Sequence, residues 1–161
     1  MPGIRRVSKL RTWADNIASL TSVFYKDQYL RDLMCIPKKT SLDEFQKKYY
    51  VRGASADEIV TNEEVRILWF NNEPVELVKK NVKLRELMMD IYVKDSVLHT
   101  ATNNILQFRY ELIEDRLVDI LMTPDQICGI RFINRVPGYD MSTKTIGYSR
   151  YRVVFLYKTT I

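Results

Sequence analysis

The C-terminal third of the chain constrains its fold most tightly. Leu106, Tyr110, Ile113, Leu117 and Ile120 recur at spacings of three and four, and Ile105, Leu112 and Leu121 widen the stripe. Glu111, Glu114, Asp115 and Asp119 occupy the opposite face. This spacing predicts one long amphipathic helix over residues 102–122, capped by Thr102 or Asn103 and ended before Pro124. So wide an apolar stripe needs a sheet or another helix to cover it.

Strand patterns flank that helix. Val65 to Phe70 is β-branched and aromatic, and Asn71-Asn72-Glu73-Pro74 is a turn signal. Residues 87–94 alternate, with Met89, Ile91 and Val93 on one face and Asp90 and Lys94 on the other. After the helix, residues 130–136 and 147–160 read as two further strands. In the last, Tyr151, Val153, Phe155 and Tyr157 share a face, and Arg150, Arg152 and Lys158 share the other with Val154 and Leu156. Upstream, Leu10, Trp13, Ile17, Leu20 and Phe24 form a helical stripe that continues through Leu30, Leu33 and Met34 and stops before Pro37. Thr21-Ser22 is a candidate break, with Ser22 as a cap. Ser41 with Glu44 is a capping-box pattern that opens a short helix over residues 42–48.

The expected class is α+β: a short antiparallel sheet of about four strands with helices packed on it, in the order α-β-β-α-β-β. At 161 residues the chain suits a single domain, 1–161, with a basic helical region at 1–50 and an α+β core at about 60–161. Its 46% hydrophobic and 28% charged residues are a globular balance. The net charge of +5 permits acidic partners, and Arg5, Arg6, Lys9 and Arg11 precede the first acid, Asp15, as a basic arm. A nucleic-acid-binding module using that arm is one expectation. No apolar run reaches the length of a membrane span, and no secretory signal is visible.

The patterns that carry catalysis are missing, which argues against an enzyme, a cofactor or a small-molecule substrate. His99 is the single histidine, and Cys35 and Cys128 lie far from it and from each other; that is no zinc spacing and no disulfide framework. The carboxylates of the long helix lack the Glu-x-x-His repeat of helical metal sites. There is no phosphate-binding loop and no Gly-x-Ser-x-Gly elbow. The remaining charged pattern, acidic on the helix and Tyr/Arg on the last strand, suits contact between subunits. The residues expected at such an interface are Glu111, Glu114, Asp115 and Asp119 against Tyr148, Arg150, Arg152 and Tyr157.

From Asp90 onward the strings Asp90-Ile91-Tyr92-Val93, Arg-Tyr-Glu-Leu-Ile-Glu-Asp-Arg-Leu-Val-Asp-Ile-Leu (109–121), Gly129-Ile130-Arg131-Phe132 and Gly147-Tyr148-Ser149-Arg150-Tyr151 resemble the neck proteins of tailed bacteriophages. The likeness is to the tail-terminator and head–tail joining group and runs over about 65–161. It implies a virion protein without cofactor, made in the host cytoplasm. Such a protein forms a homo-oligomeric ring, usually a hexamer, that caps the tail tube and joins it to the head connector. DNA would pass through the lumen.

Overall fold

The structure, a computed structural model, describes residues 15–53, 62–72, 77–79, 82–102, 104–142 and 145–160. The chain runs through a helix α1 over 15–26, α2 (Gln28–Leu33), α3 (Leu42–Glu44) and a π-helical turn (Phe45–Tyr49). The strands β1 (Tyr50–Arg52), β2 (Val65–Asn72), β3 (Leu77–Lys79) and β4 (Val82–Lys94) follow. Next come the hairpin β5 (His99–Thr102) and β6 (Ile105–Phe108), then α4 (Arg109–Leu121), β7 (Phe132–Met141) and β8 (Tyr148–Thr160). The fold is α+β. The main sheet has the order β1-β2-β4-β8-β7, with β3 pairing onto β4. Four strands form the expected antiparallel set, and β1 adds a parallel edge beside β2.

Alternation explains the core. Val65, Ile67 and Trp69 of β2, Leu87, Met89, Ile91 and Val93 of β4, and Tyr151, Val153, Phe155 and Tyr157 of β8 point to one face. Register places Ile67 and Tyr151 on either side of Ile91. Ile17, Leu20 and Phe24 of α1, Leu30 and Leu33 of α2, and Tyr110, Ile113, Leu117 and Leu121 of α4 cover that face in a single cluster. The helices upstream of residue 50 therefore share the core of the sheet. Leu10 and Trp13, the start of the first stripe, lie outside the described residues, as do Arg5, Arg6, Lys9 and Arg11.

Three expectations are corrected. The helix predicted over 102–122 begins at Arg109. His99–Thr102 and Ile105–Phe108 instead form the two-stranded hairpin, with His99 opposite Phe108 and Thr102 opposite Ile105, and Asn104 takes a positive φ of 63°. Thr100, Thr102 and Ile105 are β-branched and favour this extended form, and Asn tolerates the left-handed turn. The first helical stretch breaks at Asp27, not at Ser22: Asp27 caps α2 by accepting a hydrogen bond from the Leu30 N–H at 2.8 Å. The predicted helix over 42–48 opens as expected, with Ser41 Oγ accepting from the Glu44 N–H at 3.2 Å. It then widens into the π-helical turn, and buried Phe45 lies 6.1 Å from the Tyr50 ring.

The connection after α2 is strained. The Ile36 N–H donates to Arg31 O and the Cys35 N–H to Asp32 O, a Schellman closure in which Cys35, at φ 56°, occupies the left-handed position that usually holds glycine.

Candidate interaction surfaces

The acidic residues of α4 divide between inside and outside. Glu114 is buried. Its Oε2 accepts from the Gly138 N–H of β7 at 2.7 Å, its Oε1 accepts from the Tyr151 hydroxyl at 3.4 Å, and the Arg135 guanidinium lies 3.4 Å away. A Cβ at Gly138 would fall 2.1 Å from the Tyr151 ring and 2.3 Å from the Glu114 carboxylate. Glycine is what lets β7 come this close to α4, at a bulge between Val136 and Tyr139. Glu111, Asp115 and Asp119 are exposed. Spacings of three and four put Glu111 beside Glu114 and Asp115 beside Glu111, on the flank of α4 that faces β7. Arg116 marks the opposite flank: it clasps Asp27 of the α2 cap through two hydrogen bonds of 3.1 and 2.5 Å. Burial opposes ionisation of Asp27, but the Arg116 and Leu30 donors outweigh it and hold the carboxyl below its usual range.

The basic residues of β8 are engaged within the chain. Arg152 donates to both oxygens of Asp90, at 2.6 and 2.8 Å, and Arg150 lies 3.2 Å from Asp90 Oδ2. Asp90 is fully buried, and Arg150 is also buried. The strand register explains this triad. Arg152 lies directly opposite Asp90, and Arg150 is the next residue of β8 on the same face. The hydrogen bonds to Asp90 raise the Arg152 pKa further. Tyr157 is buried and donates to Asn71 Oδ1 at 2.5 Å, and Tyr148 donates to Glu63 O at 2.6 Å. Of the residues expected at a subunit interface, Glu111, Asp115 and Asp119 are exposed, whereas the basic pair of β8 is engaged within the chain. Those arginines face Asp90, and Glu114 and Tyr157 also point inward.

Sequence reasoning missed three surfaces. Ile105 and Leu106, at 62% and 68% exposure, stand out on the β5–β6 hairpin rather than in a core stripe. The Asn103-Asn104 pair between two short alternating runs is the hairpin signal that marks them. From that hairpin a ladder of rings leads inward: His99 lies 4.8 Å from Phe108, Phe108 5.1 Å from Tyr110, and Tyr110 4.3 Å from Tyr151. Burial and then the Asp140 carboxylate push the Tyr110 hydroxyl pKa well up, so it stays protonated. The second missed surface is β7, one edge of the sheet, with Ile133, Val136 and Tyr139 exposed. Pro137 and two bulges interrupt that edge, which limits pairing to short stretches. The third lies at the other edge, where Lys47, Lys48 and Arg52 are exposed.

Among the described residues no group of three metal-ligating side chains comes together, and no helix is long and apolar enough to cross a membrane. Cys35 and Cys128 are free thiols, half-buried. No family model matches the chain, and no curated protein matches it.

Proposed function

We propose that this chain is a structural virion protein of a tailed bacteriophage. It would act as a ring subunit at the head–tail junction that terminates the tail tube and joins it to the head connector. The observation that carries the reading is the exposed edge of the sheet. There β7 presents Ile133, Val136 and Tyr139 to solvent, with Val136 opposite Val154 and Tyr139 opposite Arg152 on the sheet face turned away from α4. Uncovered apolar side chains along a sheet edge are the composition of a surface that meets another protein. The strings that resemble phage neck proteins fall on β4, on α4, at the entry to β7 and at the start of β8. In this reading the chain has no catalytic role, its partners are copies of itself and the tail-tube and connector proteins, and DNA passes through the ring.

Electron microscopy of the purified protein mixed with tail tubes tests the proposal. The expected result is closed rings with a central opening wide enough for duplex DNA, seated on tube ends. Tubes with bare ends in excess protein would refute the neck assignment.

A further inference from the structure

Sheet topology separates two charged edges. The α4 flank beside β7 carries Glu111 and Asp115, and Asp119 follows one turn on at the outward face, all exposed. Within the chain, hydrogen bonds from Gly138 and Tyr151 are directed to Glu114 on that flank, leaving the outer row facing solvent. At the far end of the strand order, the π-helical turn and β1 carry Lys47, Lys48 and Arg52, also exposed. Lys47 pairs with Asp43 of its own turn at 2.9 Å, an exposed i,i+4 contact of the kind that contributes little. Arg52 lies over the Trp69 ring at 5.3 Å, which sets its guanidinium at the rim of the sheet.

We infer that these two edges are the halves of one head-to-tail contact, in which the acidic α4 flank of one copy meets the lysine-rich β1 edge of the next. The inference rests on the ring reading and specifies its interface. Opposite charge on opposite ends of one sheet is the arrangement a heterologous interface needs. The same pair of patches then recurs at every contact, and the subunits close into a ring or extend into a filament. A two-fold contact would instead bring each edge against its own copy and set like charges together, which is unfavourable. At the same end of the sheet, β7 exposes Ile133, Val136 and Tyr139 on its other face, apolar area that charge alone does not supply.

The test uses two charge reversals of the full chain. One is Asp115→Lys with Asp119→Lys, and the other is Lys47→Glu with Lys48→Glu, each checked for native circular dichroism. Each variant alone carries like charges on both edges and is expected to sediment as a monomer. An equimolar mixture restores opposite charges at every contact and is expected to regain the wild-type mass as an alternating assembly. If a reversed variant fails to fold, Asp115→Asn with Asp119→Asn replaces it, with an expected rise of about tenfold in the concentration needed for assembly. Reversed variants that keep the wild-type mass, or a mixture that stays monomeric, would overturn this interface while leaving a ring of different contacts standing. A wild-type protein that never self-associates would overturn both the interface and the ring.

Discussion

Asp90 on β4 and Asp115 on α4 are the same side chain in opposite circumstances. Asp90 is sealed in the sheet with Arg150 and Arg152 within 3.2 Å. Asp115 stands in solvent with Glu111 and Asp119. Removing an ionised carboxylate from water is costly, so the first aspartate is tolerable only because strand register delivers both guanidinium groups to it. The second needs no partner for folding and remains available to another chain. The buried triad therefore fixes how β4 and β8 align, whereas the exposed row contributes to what the folded molecule meets. This separation predicts that substitutions inside act on stability and substitutions on the flank act on assembly.

Asp90→Ala should show the largest effect, because it leaves two guanidinium groups in the sheet without their carboxylate. A loss of about 3–5 kcal/mol in urea unfolding is expected. A loss no larger than that from a flank substitution would break the comparison. Gly138→Ala should follow, at about 1–3 kcal/mol, since its Cβ must displace the Tyr151 ring or the Glu114 carboxylate. Thermal unfolding of this variant, compared with Glu114→Gln, would show whether the α4–β7 clamp or the ring contact dominates.

Asp27 sharpens the comparison, because it is only half-buried. Its folded pKa lies below that of an ordinary aspartate, so between the folded and unfolded values the unfolded chain binds more protons. The stability it contributes is fully present above about pH 4 and is lost as pH falls through the lowered value. Asp27→Asn should therefore flatten the acid limb of the stability profile and, because Asn caps as well as Asp, cost only the Arg116 ion pair, about 1 kcal/mol at neutral pH. A profile unchanged below pH 4 would mean that the Arg116 clasp adds nothing. The smallest stability effect is expected from Asp115→Asn with Asp119→Asn, within about 0.5 kcal/mol, as for other surface changes. In the same variant, assembly should weaken.

The alternation of β4 and β8 and the stripe of α4 were legible in the sequence, because a period of two or of 3.6 states which side chains share a face. Partners were not. Arg150 and Arg152 read as a free basic face until register set them against Asp90, a residue roughly sixty positions away in the chain. Glu114 looked like its neighbours Glu111 and Asp115, and only the bulge at Gly138 distinguishes it. The hairpin at 99–108 was hidden because Leu106 falls at helical spacing from Tyr110 by coincidence, and a short apolar run does not reveal its period. β1 has three residues, too few to show a pattern before its parallel partner is known.

The mass of the protein in solution, measured by light scattering across concentration and salt, tests the central claim most directly. A closed ring predicts one fixed multiple of 19.1 kDa over a wide concentration range, near six copies, falling toward the single-chain mass as salt screens the edges. A mass of 19.1 kDa at every concentration and salt would contradict it.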